Sequence, residues 1–367
     1  MKLNRIAQLG ALTAIAALTL TACAANEPAG NGSTPGATES SSTLSGTLNA
    51  TGSSAQDAAQ QAWVAAFQTA NSGVTVNYQA TGSGTGRDNF VSGGQSFIGS
   101  DRAFDSEEIA AGGFGSCASD AIVEIPVYIS PVAIIFNLDG VDSLNLDATT
   151  VAKIFNGDIT NWNDPAIAAD NPDATLPDLA ISPVHRSDPS GTTEIFTGYL
   201  GAVAPDAWTH EESDEWPLSS GEAAQGTSGV VAAVNGGSGT IGYADASQAG
   251  NLGTVAVKVG DEFVPYSSEA AAALVDASPL AEGRSAGDLV FEIDPATAPA
   301  GSYPIALVSY LIACEQYDDA ATADLVRAYF EFVTSAEAQE IAAEAAGSAP
   351  LSDSLREKLA EAIALIG

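Results

Sequence analysis

Apolar and polar residues alternate over Val74-Thr75-Val76-Asn77-Tyr78, which predicts a strand with one buried face. Val132-Ala133-Ile134-Ile135-Phe136 is an unbroken apolar run, the pattern of a strand covered on both faces. Ile181 to His185 and Thr240-Ile241-Gly242-Tyr243 are further strand candidates. A different period runs through Ala59, Ala62, Trp63, Ala66 and Phe67, where apolar residues three and four apart predict a helix buried on one side. The same spacing recurs at Val151, Ile154 and Phe155, at Ile195, Phe196, Tyr199 and Leu200, and at Leu325, Val326, Tyr329, Phe330 and Val333. The stretch Ala320 to Leu365, rich in Ala and Glu, reads as helices, while Pro172 to Pro183 and Ala204 to Pro217 read as surface connections. Strands alternating with helices predict an α/β fold. Pro126 and Pro131 flank a strand-like stretch, and Tyr303-Pro304-Ile305 lies near the last fifth of the chain. Two crossings between the same two lobes at those places would make a hinge.

The beginning of the chain changes the picture. Met1-Lys2-Leu3-Asn4-Arg5 is a short basic segment, and Ile6 to Leu20 is apolar but too short to span a bilayer. Leu20-Thr21-Ala22-Cys23 then resembles a bacterial lipobox, so residues 1–22 are expected to be a signal peptide and Cys23 the lipidated residue. A diacylglyceryl cysteine carries two acyl chains, enough for stable attachment to a membrane. Residues 23–45 consist mostly of Gly, Ser, Thr, Pro and Ala and read as a flexible tether. The expected location is the cell membrane, with the protein anchored on its extracytoplasmic face and its remaining residues soluble.

Charge and cysteine content narrow the function further. The 367 residues carry 11 Lys+Arg against 46 Asp+Glu, a formal net charge of −35, and nucleic-acid binding, which needs a basic face, is disfavoured. Of the three cysteines, Cys117 and Cys314 remain once Cys23 is assigned. In an oxidising compartment a disulfide is the first reading, with two buried thiols as the alternative. Two cysteines with His185 and His210 do not make a convincing zinc site, so no metal or other cofactor is expected.

Four segments rich in glycine and hydroxyl residues are candidates for chemistry. They are Thr51-Gly52-Ser53-Ser54-Ala55-Gln56-Asp57, Thr81-Gly82-Ser83-Gly84-Thr85-Gly86-Arg87, Ile98-Gly99-Ser100-Asp101-Arg102, and His185-Arg186-Ser187-Asp188-Pro189-Ser190-Gly191-Thr192-Thr193-Glu194. Ser54 is a candidate N-cap for the helix that follows. A helix start offers unpaired N–H groups and a partial positive charge, and glycine lets an anion approach them. Arg186 can add a bidentate contact. Any one such segment alone is most simply a capped turn; four together point to an anion site. Gly82 to Gly86 has neither the P-loop pattern nor dinucleotide-binding spacing. His185, Asp188 and Ser190 supply the residue types of a hydrolase triad without the G-x-S-x-G elbow, so an enzyme is not expected. His185 reads as a packed strand-end residue.

At these residues the chain resembles the phosphate-binding proteins that feed bacterial phosphate ABC importers. His185 to Thr193 is close to the family's H-R-S-D-G-S-G-T-T, and Ile154-Phe155-Asn156-Gly157-Asp158-Ile159-Thr160-Asn161-Trp162-Asn163-Asp164-Pro165-Ala166-Ile167 supports it. Tyr78-Gln79 to Gly82-Ser83, Gly99-Ser100-Asp101 and Gly239-Thr240-Ile241-Gly242-Tyr243 match in the family's order. The resemblance implies a two-lobed periplasmic-binding-protein fold of type II with a two-strand hinge. Residues 46–127 plus 303–367 would form lobe I and residues 128–302 lobe II, with crossings near Tyr128 and Ser302. Cys117 and Cys314 then fall in one lobe, which suits a disulfide.

The resemblance also implies the site. Arg186 would grip phosphate, and Asp188 would hold the guanidinium from behind. Ser190, Gly191 and Thr192 would donate from a helix start, Ser83 would donate its hydroxyl, and Ser54 and Ala55 would supply the first loop. That loop departs from the common Gly-Ala-Thr-Phe-Pro, reading Gly52-Ser53-Ser54-Ala55-Gln56, so either Ser53 or Ser54 could be the hydroxyl donor. Asp101 would accept a hydrogen bond from protonated phosphate. Sulfate brings no proton, and an unpaired buried carboxylate costs enough to discriminate by ~100-fold or more. The alternative for Asp101 is a surface pair with Arg102. The implied partners are inorganic phosphate and the permease and ATPase subunits of an importer, with a monomer as the expected state. The competing functions are a binder of another oxyanion, such as sulfate or molybdate, and a hydrolase using Ser190.

Overall fold

The computed structural model describes residues 44–367. The expected signal peptide, Cys23, and the tether except for its last two residues lie outside them. Eleven strands follow in chain order: β1 (Ser45–Gly52), β2 (Gly73–Gln79), β3 (Phe97–Ser100), β4 (Ile122–Asn137), β5 (Ser143–Leu146), β6 (Ser182–Arg186), β7 (Glu222–Ala224), β8 (Thr240–Asp245), β9 (Gly253–Val259), β10 (Glu262–Val264) and β11 (Ala306–Cys314). They join in the order β2-β1-β3-β11-β4-β8-β6-β7, with β9 against β4, β5 and β10. The sheet is mixed. β1 runs parallel to β2 and β3, and β11 runs antiparallel to β3 and β4. With helices packed on it, this is a two-lobed α/β fold.

β4 joins the two parts of the sheet. Its 16 residues are buried except the last, which explains its unbroken apolar pattern. Ile122 to Pro131 pair with β11, and Val132 to Asn137 pair with β8. The strand therefore changes neighbours between Pro131 and Val132. The predicted strand ended at the prolines, but the observed one runs through both. Pro126 is tolerated because the ladder slips beside it: Ser309 faces Tyr128, Tyr310 faces Pro126, and Val127 has no opposite residue. A bulge of this kind absorbs the donor that proline lacks.

The predicted helices are present as Asp57–Ala70, Ala148–Asn156, Gly191–Val203 and Ala320–Val333, and the C-terminal stretch continues as Ala336–Ala346 and Asp353–Ile363. Helix Gly226–Gly236 buries Val230 and Val234 on Ala133, Ile135, Val184 and Ala244. The connection from Ala204 to Pro217 is less superficial than its composition predicts, since Trp208 is buried. Residues 279–292 fold back on themselves, with Ala281 N donating to Val290 O at 2.8 Å, and lie along the first part of β4. There Glu124 N donates to Gly287 O, and Leu289 N to Glu124 O, each at 2.9 Å. Arg284 pins this arm through Glu124 at 3.0 Å and Asp288 at 2.7 Å. Burial and the neighbouring carboxylate raise the pKa of Glu124.

Cys117 and Cys314 form a disulfide, with Cα atoms 5.2 Å apart, that ties the loop before β4 to the end of β11. Among the described residues no helix is long and apolar enough to cross a membrane, and no cluster of His, Cys, Asp and Glu could hold a metal ion.

Candidate functional site

The four glycine- and hydroxyl-rich segments each follow the carboxyl end of a strand: β1, β2, β3 and β6. In α/β folds ligands bind at such ends. Three of these segments lead into helices, at Asp57, Ser83 and Gly191, and the structure brings all four together.

Asp101 is the centre of the cluster and only 4% exposed. Its Oδ1 accepts hydrogen bonds from Ser53 Oγ and, at 2.6 Å, from Ser309 Oγ. Its Oδ2 accepts from Thr192 Oγ1 at 3.0 Å, and its backbone N–H donates to Ser83 Oγ at 3.1 Å. The surface pair with Arg102 is not made. Arg102 instead pairs with Glu108 at 2.6 Å and Glu194 at 3.1 Å.

Arg186 is buried at the end of β6 and held by Asp188 in a two-pronged pair. Nε lies 2.8 Å from Oδ1, and one terminal nitrogen 2.5 Å from Oδ2. The other terminal nitrogen is left outside that pair. Asp188 Oδ1 also accepts from Gly226 N at 3.0 Å, so the carboxylate is fixed from two sides. Tyr243 steadies the backbone there, accepting from Arg186 N at 3.3 Å and sharing a 2.8 Å bond with Thr193 Oγ1. Burial pushes the Tyr243 hydroxyl up to about 12, so it stays protonated.

Two glycines permit this crowding. Gly82 has φ of +98°, and a Cβ there would lie 2.5 Å from Asp188 Oδ2. A Cβ on Gly191 would lie 2.6 Å from Asp101 Cβ. Ser190 caps helix Gly191–Val203, its Oγ accepting from Thr193 N at 3.3 Å, and the start of that helix lies beside Asp101.

The hydroxyls of Ser53 and Ser54 diverge. Ser53 turns to Asp101, whereas Ser54 Oγ lies 3.0 Å from Thr227 Oγ1 and accepts from Thr227 N at 3.1 Å. Ser54 is not the N-cap expected from sequence, because the helix starts at Asp57 with Gln56 in the cap position. Gln248 Nε2 reaches Ser54 O at 3.2 Å. Ala55 is fully buried and offers no polar side-chain atom. Thr227, Gln248 and Ser309 are the members of the cluster that sequence reasoning missed, and Gln56 stands in the first of the four segments without an expected role. Thr227 follows a glycine at a helix start, the signal used elsewhere, and could have been found.

Ion pairs close the rim. Arg87 meets Asp214 at 2.7 Å, and Glu194 faces Arg102, its carboxyl pushed up to about 7 by burial against the pull of Arg102 and Arg87. His185 donates from Nδ1 to Arg186 O at 2.8 Å and stacks on Trp216 at 5.1 Å. With Asp188 on Arg186 and Ser190 on its helix, the three triad residue types are engaged elsewhere. The cluster thus combines the Arg186 guanidinium, a helix start and hydroxyls with the buried carboxylate of Asp101 as acceptor. That set suits a tetrahedral oxyanion that carries a proton.

Residues 37–337 match the family described as the PBP superfamily domain. The chain is 36% identical over 372 residues to phosphate-binding protein PstS 3 of Mycobacterium tuberculosis, covering 99% of each chain. It is 34% identical over 377 residues to PstS 2 of the same organism, again covering 99% of each. Among solved structures it resembles a high affinity periplasmic phosphate-binding protein, PfluDING, solved with phosphate. The TM-score is 0.69 at 22% identity, over 86% of this chain and 93% of that one. A phosphate-binding protein from Stenotrophomonas maltophilia gives a TM-score of 0.63 at 21% identity, over 86% and 93% of the two chains. At these identities the solved structures speak for the fold.

Proposed function

The chain belongs to the phosphate-binding proteins of the PBP superfamily, and from that membership we propose that it captures inorganic phosphate outside the cytoplasm and delivers it to an ABC importer. The observation that carries this reading is Asp101, a buried acceptor set among donors. Phosphate would lie against Ser54 and Ala55 from the first loop, Ser83 from the second, Asp101 from the third, and Arg186, Ser190, Gly191 and Thr192 from the fourth. Asp188 would keep the Arg186 fork aimed at it. Asp101 then accepts the ligand's proton and rejects sulfate, which has none to give.

Residues 46–127 plus 303–367 and residues 128–302 act as the two lobes, closing about crossings near Tyr128 and Ser302. The change of partner in β4 after Pro131, and the 2.8 Å bond from Val132 N to Ile305 O, support a hinge at that level. Cys23 carries the lipid that holds the protein, as a monomer, on the outer face of the cell membrane, where it meets the permease and ATPase assembly.

The test is calorimetry with phosphate and sulfate on the wild type and Asp101→Asn. The wild type should prefer phosphate by ~100-fold or more, and the variant should narrow that gap. Equal affinities in the wild type would remove the selectivity argument.

A further inference from the structure

We propose that Ser309, Gln56 and Ser53 are positioning residues that dedicate one oxygen of Asp101 to the protein and leave the other to read the ligand's proton. The inference rests on the reading of Asp101 given above and extends it to the residues that hold that carboxylate.

The direction of each hydrogen bond is dictated by its partners. Gln56 Nε2 lies 3.0 Å from Tyr310 O, a carbonyl that can only accept, so the nitrogen end of the amide must point there. The same nitrogen lies 2.6 Å from Ser309 Oγ and donates to it. The oxygen end, Oε1, accepts from Gln60 Nε2 at 2.8 Å, and Gln60 Oε1 accepts from the Tyr329 hydroxyl at 2.8 Å. Ser309 therefore receives one hydrogen and has one to give, which goes to Asp101 Oδ1 at 2.6 Å. Ser53 reaches the same end by another route. Its Oγ accepts from Ala55 N at 3.1 Å and Gln56 N at 3.3 Å, backbone groups that can only donate. Its own hydrogen is left for Asp101 Oδ1.

Oδ1 thus receives two hydroxyls, which fill its two lone pairs. Among the described residues Oδ2 receives only Thr192, and it is the oxygen with capacity to accept another hydrogen. Gln56, Gln60, Ser53, Ser309 and Tyr329 are all fully buried, so no water competes within the chain. They belong to β11, the turn after β1 and the helices Asp57–Ala70 and Ala320–Val333. Thr192 alone comes from the opposite side. The carboxylate is therefore oriented before the cleft closes, and closure adds Thr192 and the ligand to an acceptor already aimed.

The test measures affinity for phosphate and, by competition, for sulfate at neutral pH in the wild type, Ser309→Ala, Ser309→Thr and Ser53→Ala. Ser309→Ala should weaken phosphate by ~10-fold without weakening sulfate in proportion, and so reduce the preference by about the same factor. Ser309→Thr keeps the hydroxyl and should restore the preference. Ser53→Ala removes the second hydroxyl independently and gives the same reading should Ser309→Ala not fold. A purely structural role would lower thermal stability and weaken both anions equally, and that result, or an unchanged ratio in a folded variant, overturns the proposal. A wild type that fails to prefer phosphate would instead overturn the reading of Asp101 on which it rests.

Discussion

Tyr128 donates its hydroxyl to Asp245 Oδ1 at 3.0 Å, from one side of the point where β4 changes neighbours to the other. Asp245 faces Val132, the first residue of β4 to pair with β8, and Ser247 N also donates to Oδ1 at 3.0 Å. The carboxyl is fully buried, and burial pushes it from 3.8 up to about 6. The native protein therefore holds this proton more tightly than the unfolded chain does. The associated stability is full below about pH 4 and is lost as pH rises through about 6. Asp245→Asn keeps an acceptor for Tyr128 and has no charge to bury. The variant should be more stable than wild type by ~1–3 kcal/mol at pH 8, with the difference vanishing near pH 4. Denaturant unfolding at the two pH values checks this, and a difference independent of pH would contradict it.

Gly191 and Asp101 belong to different lobes in the division proposed above, and a methyl group on Gly191 would sit 2.6 Å from Asp101 Cβ. Gly191→Ala should therefore act on closure more than on folding. Overpacking of this kind costs about 1–3 kcal/mol, so phosphate affinity should fall ~10- to 100-fold. The melting temperature without ligand should change little. Calorimetry paired with thermal unfolding separates the two effects.

Arg186 and Asp188 meet through two parallel contacts, which a lysine cannot reproduce. Arg186→Lys retains the charge yet should weaken phosphate ~100-fold, because both the fork to Asp188 and the aim of the remaining nitrogen are lost. Asp188→Asn keeps the guanidinium and should cost about 10-fold. If the two variants bound alike, orientation by Asp188 would not be what Arg186 needs.

The disulfide lies at the end of β11, five residues along the strand from Ser309 and roughly 16 Å from it at ordinary strand rise. Reduction should lower stability by ~2–5 kcal/mol and leave phosphate affinity nearly unchanged. Melting curves and calorimetry with and without reductant test both halves of that statement.

The sequence was readable wherever function and local geometry coincide. Arg186, Asp188 and Ser190 lie within five residues, and a glycine-rich helix start announces its chemistry within one turn. Val132 to Phe136 announced a buried strand but not its extent, because Pro126 and Pro131 look like strand ends and only the slipped ladder opposite Ser309 and Tyr310 makes room for the first of them. Ser309 was invisible for a different reason. It stands inside a nine-residue buried strand and reads as a polar lapse in an apolar run. Its partner Gln56 is 253 positions away, so nothing short of the sheet order places the two together. The divergence of Ser53 and Ser54 was likewise set by what lies opposite each of them, Asp101 for one and Thr227 for the other.

β11 lies between β3 and β4, although it is the last strand to be made. Until it emerges, β1 to β3 have no strand pairing that joins them to β4, and the sheet they begin cannot be completed. The cystine adds a clasp over the same interval, since its two halves are 197 residues apart. In a chain synthesised from its N-terminus the joining of β1 to β3 with the rest of the sheet therefore comes late, and such long-range pairing is slow. For a chain exported as proposed above, that delay would be useful. The edge formed by β1 to β3 waits for its partner until nearly all of the chain has been made.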